Sequence, residues 1–218
     1  MKKKICLASI LVLFLSCFSI AQEKINPLFF DELNISANRT IVENDNTSDR
    51  FGFGIGLYRS WMDSSWINIV SGISYNKTTQ HKKFIYHGHF ANINNATYNL
   101  HYISLPLLVR FNVGEEILFF SELGLYLDLY SSSDLKGTMQ KYSPIEGTTY
   151  KEVEISGNAN NLSSVNYGSS LGLGLRIPLK KHEVIIKFDF KYGLKDLSMG
   201  QGNIFNRYSR ISIGLRKN

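Results

Sequence analysis

Large apolar residues alternate with small, polar or charged residues along most of this chain. In residues 51–58 the apolar residues are separated by Gly52, Gly54 and Gly56, and in residues 182–194 charged residues fill one parity and apolar residues the other. A period of two indicates a β-strand, because successive side chains of a strand point to opposite faces. The pattern predicts eight strands, at residues 28–37, 50–59, 66–77, 101–113, 117–130, 165–179, 182–194 and 208–215.

Each predicted strand has one apolar face and one face of small, polar, charged or aromatic residues. A water-soluble sandwich would expose the second face to water. Glycine is a poor choice there, because it weakens a strand and shields nothing. In a membrane barrel the apolar face meets lipid, and glycines on the other face make room for large side chains in a narrow lumen. The glycine-rich parity therefore favours a membrane barrel.

The connections between the predicted strands alternate strictly between short and long. The short ones are residues 60–65, 114–116 and 180–181, and the long, polar ones are residues 38–49, 78–100, 131–164 and 195–207. Tight periplasmic turns and long outer loops are typical of transmembrane barrels, whose tilted strands need about 9–11 residues to cross. We therefore expect one all-β domain at residues 22–218, an eight-stranded antiparallel up-and-down transmembrane β-barrel with both termini in the periplasm.

Charged residues on the mixed faces predict a network inside the barrel. A lysine that faced lipid at mid-depth would cost about 2–4 kcal/mol, and pairing in the lumen removes that cost. The lumen of an eight-stranded barrel is just wide enough for side chains to fill it. We therefore expect a structural charge network and not a pore, formed by Arg110, Glu122, Asp128, Arg176, Lys187, Asp189, Lys191 and Arg210.

Residues 1–21 have the pattern of a secretory signal peptide. Lysines at positions 2 to 4 precede a short apolar stretch, and Ser19 and Ala21 place small residues before a cleavage site at Gln22. Cys17 leaves a lipoprotein signal open, although the residues before it lack the usual spacing of leucine and a small residue. With the barrel pattern, the signal predicts export to the cell outer membrane.

Composition excludes several kinds of chemistry. Both cysteines lie in the signal peptide, so the mature chain has no disulfide and no thiolate. The formal net charge of +6 falls to +3 without the three signal lysines, which argues against nucleic acid as a partner. No serine, histidine or carboxylate spacing indicates a nucleophile beside its base, so we expect no enzymatic activity and no cofactor. The only candidate metal ligands are His81, His87 and His89, which alone make a weak site, and no metal is predicted.

Two further expectations concern aromatic residues. Tyr58, Trp61, Trp66 and Tyr75 suit an aromatic belt at the membrane interface. In the long connection 131–164, Tyr150, Val153 and Ile155 suggest a hairpin that prolongs the barrel strands outward.

The strand sequences also resemble a family. The stretches YISLPLLVRFNV (102–113), FFSELGLYLDLY (119–130) and YGSSLGLGLRIPL (167–179), with the closing RYSRISIGLRKN, are similar to the PorT-like small outer-membrane β-barrel proteins of Bacteroidetes. The resemblance implies an eight-stranded barrel, and some members of that group are tied to type IX secretion. This chain departs from the usual aromatic C-terminal residue, because its last strand ends in Leu215 and three polar residues.

The patterns together predict a non-enzymatic protein with the outer-membrane bilayer as its surroundings. Outer loops are where a small barrel meets a ligand or another envelope protein, so we expect surface interaction or an envelope-structural role through them. The alternative that the resemblance implies is an accessory component of a type IX secretion machinery.

Overall fold

The computed structural model describes residues 30–41, 47–62, 66–87, 91–142, 150–158, 163–197 and 205–217. Within them the strands are β1 (Glu32–Thr40), β2 (Thr47–Ser48), β3 (Phe51–Ser60), β4 (Ile67–His87), β5 (Ala91–Val113), β6 (Leu118–Tyr142), β7 (Tyr150–Gly157), β8 (Val165–Pro178), β9 (His182–Gly193) and β10 (Arg207–Lys217). The same residues contain no helix of the length and apolarity that crossing a membrane requires. The predicted signal peptide, residues 1–21, lies outside the described residues.

Eight of the strands close into one antiparallel barrel. The short β2 and β7 are not part of this barrel. Each of the other strands pairs with the barrel strands before and after it in the chain, and the ring closes because β1 pairs with both β3 and β10. The closing ladder runs without a shift from Glu32 opposite Arg216 to Thr40 opposite Tyr208. The predicted eight-stranded antiparallel up-and-down barrel is therefore confirmed.

The two faces of the wall divide as the alternation predicts. On β9, Phe188 is 51% exposed, whereas its neighbour Lys187 is 2% exposed. The same contrast holds around the barrel, where the exposed outer residues include Ile35, Ile55, Leu107, Leu123, Leu125, Leu171, Leu173, Ile211 and Ile213. In an outer membrane this apolar band meets the acyl chains, and the polar parity fills the lumen.

The two ends of the barrel differ in size. The turn end carries both ends of the described chain and the three short turns that precede β4, β6 and β9. At the β5–β6 turn, Gly114 has a φ of +117°, and a Cβ there would lie 2.3 Å from the carbonyl oxygen of Ile117, so this turn requires glycine. The opposite end, here the loop end, carries the long connections.

At the loop end, three strands continue far beyond the others. β4, β5 and β6 have 21, 23 and 25 residues, whereas β1 and β3 have 9 and 10. We call their projecting parts the outer sheet: residues 78–87, 91–100 and 131–142, with β7 paired to β6 and β2 paired to β4. The predicted loops at 78–100 and 131–164 are therefore largely strands, which corrects the sequence-based boundaries. The suggested hairpin is present as the β6–β7 pair.

One irregularity separates the outer sheet from the barrel wall, and others lie within the outer sheet. Ser131 is an extra residue on β6, because His101 pairs with Ser132 and Tyr102 with Tyr130. The bulge moves inward-facing positions of β6 from even to odd numbers, so Asp128 and Ser133 are both buried. A second shift on β5 contains Asn95, whose φ of 54° lies in the left-handed region.

Candidate functional site

Ionic side chains cross the lumen at the level of the lipid belt. Arg110 of β5 lies between two carboxylates, with Nε 2.6 Å from Oε1 of Glu122 on β6 and Nη2 3.0 Å from Oε2 of Glu32 on β1. All three side chains are almost fully buried. They form charge-assisted pairs that join strands on different sides of the barrel, which suits a packed lumen better than a channel.

The Glu122 carboxylate also binds a second cation, Lys187. Lys187 Nζ lies 2.9 Å from Oε2 of Glu122 and 3.9 Å from Oδ1 of Asp189. Arg210 Nε lies 3.0 Å from Asp189 Oδ1, on the neighbouring strand. The central charge layer, defined as Glu32, Arg110, Glu122, Lys187, Asp189 and Arg210, therefore alternates in sign across the lumen.

A separate cluster lies at the turn end. Arg176 Nη2 is 2.5 Å from Oε2 of Glu183, and Arg216 reaches the same oxygen at 3.7 Å. Arg216 also lies 3.8 Å from Oδ2 of Asp31, just before β1. Burial raises the pKa of the Asp31 carboxyl, and the nearby Arg216 opposes that shift. Thus Arg176, although predicted as part of the lumen network, belongs to this cluster and not to the central charge layer.

The loop-end side of the lumen contains Asp128 and Lys191, which do not pair with each other directly. Asp128 accepts hydrogen bonds from Ser104, from Asn166 at 3.2 Å and from Asn206 at 3.1 Å. Lys191 Nζ donates to Ser104 Oγ at 3.3 Å, and no carboxylate of a described residue forms a salt bridge with it. Ser104 therefore links the two charges.

Aromatic rings in the lumen lie beside its buried cations. Lys191 Nζ is 4.5 Å from the ring centroid of Tyr126, and Arg110 Cζ is 4.6 Å from that of Phe120. Such contacts stabilise a desolvated cation through the negative face of the ring. Glycines admit the rings: a Cβ at Gly168 would lie 2.7 Å from the Tyr126 hydroxyl, and one at Gly174 2.4 Å from Phe120.

The sequence reasoning missed two charged lumen residues and misplaced one aromatic residue. Glu32 and Arg216 are both buried, and each lies on the polar parity of its strand. Glu32 lies within the predicted first strand and could have been named from its parity, whereas Arg216 lies one residue beyond the predicted end of the last strand. Tyr58, assigned to the interfacial belt, is instead 2% exposed in the lumen, because it continues the inward glycine parity of β3. Lys187 lies over its ring.

Above the lumen, a small apolar cluster closes the barrel at the loop end. We call it the mouth core, which consists of Ala96, Tyr98, Leu100, Tyr102 and Leu197. Leu197 follows β9, and its carbonyl oxygen accepts a hydrogen bond from the Ser163 amide at 2.8 Å. The inner face of β5 supplies the other four residues.

The segment before β10 closes the mouth from the other side. The Asn206 side chain accepts from Thr78 at 3.2 Å and donates to Asp128, and Gln80 donates to the Phe205 carbonyl oxygen at 2.9 Å. These contacts tie residues 205–206 to β4 and β6. The described lumen is therefore filled from the turn end to the mouth core.

Of the three candidate metal ligands, only His81 has a described side chain. The His81 ring lies 3.0 Å from the Thr97 hydroxyl, and burial together with Arg50 and Lys83 lowers its pKa. The side chain of His87 and all of His89 lie outside the described residues. Among the side chains that are described, no group of three or more His, Asp or Glu residues could hold a metal ion.

An apolar groove of about 540 Å³ lies on the outer wall near the turn end. Its lining comes from β5, β6, β8 and β9 and consists of Phe111, Val113, Phe119, Phe120, Ser121, Leu173, Gly174, Leu175, Ile186 and Phe188. No titratable side chain lines this groove, so its surface offers no acid or base for catalysis.

The chain matches the family model described as outer membrane protein beta-barrel domain over residues 22–198. A search of curated proteins found no match. Among solved structures, Ail of Yersinia pestis shares 10% identity over 87% of this chain and 99% of its own, with a TM-score of 0.41. Neisserial surface protein A shares 8% identity over 85% of this chain and 95% of its own, with a TM-score of 0.45. The outer membrane enzyme PagL shares 16% identity over 84% of this chain and 97% of its own, with a TM-score of 0.38.

Proposed function

Because the chain belongs to the outer membrane protein beta-barrel domain family, we propose that this protein of the cell outer membrane is a non-enzymatic anchor whose outer sheet engages a partner at the loop end. The observation that carries the proposal is the one-sided extension of β4, β5 and β6 beyond the lipid belt. A strand rises about 3.3 Å per residue, so an extension of ten residues reaches roughly 30 Å along the strand.

The outer sheet is suited to binding because it is ordered by its own strand pairing. Its ladders run from Thr78 opposite Leu100 across β4 and β5, and from Ala91 opposite Lys141 across β5 and β6. A sheet of this kind presents fixed side chains on a rigid surface, which lowers the entropy lost on binding. Binding sites also concentrate on connections that a rigid scaffold holds outside its core.

The filled lumen supports an anchoring role over transport. The central charge layer and the mouth core occupy the described interior in series. In planar bilayers the folded protein should therefore show no stable single-channel conductance. Steady conductance that is lost on mutation of Arg110 would support a pore instead.

Site-specific photo-crosslinking in living cells tests the proposal. A photo-crosslinking amino acid replaces Thr138 or Gln140 on the outer sheet. In the matched controls the same amino acid replaces Glu115 or Lys180 at the turn end. We expect crosslinks to another envelope or surface protein at the outer-sheet positions. Crosslinks confined to the turn-end positions, in cells where the barrel is folded, would overturn the proposal.

The resemblance of residues 102–113 to PorT-like barrels supports a second candidate, an accessory role in type IX secretion. A deletion strain separates the two candidates. Loss of secreted proteins from the medium, restored by the intact gene and also by a variant with a shortened outer sheet, would favour the secretion role.

A further inference from the structure

Among the described strands, β7 forms one edge of the outer sheet. β7 pairs with β6 from Tyr150 opposite Tyr142 to Gly157 opposite Leu135, and no other described strand pairs with it. A Cβ added at Gly157 would meet nothing within 4 Å, so the space over the face of the sheet at this end of the strand is open among the described residues. An unpaired edge presents N–H and C=O groups that can accept a further strand.

The two faces of β7 differ in chemistry. Glu152 and Glu154 point to one face and are exposed, whereas Val153 and Ile155 point to the other and are half-buried. Across the ladder on β6, the two glutamates face Gln140 and Thr138, which are neutral. No described cation forms a salt bridge with either glutamate.

The apolar face of β7 continues across the outer sheet. Val153 lies opposite Met139 on β6, and Met139 lies opposite Ile93 on β5. An added strand would extend this apolar row on one face and the row of β7 acids on the other. Alternation of apolar and basic residues in that strand would match both faces.

A second copy of β7 is a poor occupant of the edge. In antiparallel pairing of two copies around a two-fold axis normal to the sheet, the two registers with the longest overlap place Glu152 opposite Glu154, or Glu154 opposite itself. Like charges directly opposite each other destabilise a strand pair. The acids therefore disfavour self-pairing and favour a strand of opposite charge.

We propose that the free edge of β7 binds an extended segment of another protein by strand addition, with Lys or Arg opposite Glu152 and Glu154 and apolar residues beside Val153 and Ile155. The inference rests on the proposed function, because it specifies the partner of the outer sheet. Opposite charges that face each other across such a ladder stabilise the added strand, and the backbone hydrogen bonds add affinity that does not depend on sequence.

Three ten-residue peptides test the proposal on the full chain folded in neutral detergent. One alternates Lys with Val, the second alternates Glu with Val, and the third is the Lys peptide with alternate backbone nitrogens methylated. Fluorescence anisotropy measures binding, and hydrogen exchange locates it. We expect the Lys peptide to bind at least tenfold more tightly than the other two and to protect amides of β7.

Charge reversal at the edge provides the decisive variant. In E152K/E154K the preference should reverse, so that the Glu peptide binds at least tenfold more tightly than the Lys peptide. The matched control E115K/E116K reverses two exposed acids at the turn end and should leave the original preference unchanged. Equal effects of the two double variants, equal binding of the methylated peptide, or protection outside β7 would each overturn the inference.

The outcomes also separate this inference from the proposed function. If the peptides do not bind while Thr138 and Gln140 still crosslink to a partner in cells, the edge mechanism fails and the anchoring role stands. If those positions do not crosslink either, both proposals fail.

Discussion

The interior of this protein changes character between the lipid belt and the loop end. At the belt, the lumen contains the central charge layer, in which carboxylates and cations alternate. Above it, the mouth core contains apolar and tyrosine side chains around Leu197. Where lipid surrounds it, the interior is thus mainly charged, with a small apolar cluster of Tyr58, Val70 and Leu108 beside the charges. Where water surrounds it, the interior is apolar.

This difference between the lumen at the lipid belt and the mouth core shows where the hydrophobic effect acts in a small barrel. Apolar side chains at the belt level gain little by turning inward, because lipid solvates them on the outside. Val70, Leu108 and Ile185 nevertheless do so. Polar side chains there must turn inward, where hydrogen bonds and ion pairs compensate for lost water. Beyond the lipid, water surrounds the chain and burial of Leu100 and Leu197 becomes favourable again.

The largest expected effect is at the centre of the charged interior. Glu122→Gln keeps the side-chain shape but removes the charge that Arg110 and Lys187 share. Breaking a buried pair costs about 3–5 kcal/mol, because the remaining charges lose their compensation. Urea unfolding in lipid vesicles measures the loss, with Glu116→Gln at the exposed turn as the control. Equal, small effects of the two substitutions would contradict the stabilising role of the charge layer.

A smaller and more local effect is expected in the mouth core. Leu197→Ala should lower local stability by about 2–3 kcal/mol through lost burial and a cavity. Hydrogen exchange at residues 96–102 should accelerate, while the unfolding free energy of the barrel stays nearly constant. Leu194→Ala, at an exposed position of the same segment, should do neither. Cooperative destabilisation of the whole barrel would show that the two interiors are not independent.

Lys191 sharpens the comparison, because it is buried without a salt bridge to any described carboxylate. Replacement by Met removes the desolvation cost of a charge and keeps most of the volume, so Lys191→Met should be neutral or stabilising by about 1 kcal/mol. Lys187→Met, which removes the partner of Glu122, should destabilise. Thermal unfolding in detergent compares the two lysines, and the reverse order would be inconsistent with the contacts described.

The smallest effect is expected for the exposed pair of Arg39 and Asp49, whose side chains are 61% and 37% exposed. Arg39→Ala should cost about 0.2–1 kcal/mol at low salt. The difference should disappear at high salt, because the Debye length falls to about 3 Å at 1 M. A salt-independent loss would mean that Arg39 stabilises the barrel by packing and not by its charge.

The sequence was sufficient to predict the barrel, because contact with lipid requires a strict alternation of apolar residues along each crossing strand. One face of each crossing strand must be apolar, so parity alone placed residues such as Lys187 and Phe188 on the correct sides. Parity does not reveal which lumen charges touch. Arg176 pairs with Glu183 and not with the central charge layer, because contacts across the lumen depend on the stagger between strands.

The outer sheet could not be recognised because its strands have left the lipid. Water meets much of both faces there, so residues such as Asn92, Thr97 and Lys136 show no strict alternation with apolar ones. The extra residue at Ser131 also reverses the parity within one continuous strand. Tertiary pairing with β5 and β7, and not local sequence pattern, determines that residues 131–142 are extended.

β5 and β6 each belong to both the barrel wall and the outer sheet without interruption. Tension on the outer sheet therefore passes along two covalent backbones into the membrane-embedded ladders. Those ladders are loaded in shear, so that many hydrogen bonds must yield together and not one after another. If the outer sheet engages a partner as proposed, this architecture would let the barrel resist pulling on that partner while its lipid-facing wall stays closed.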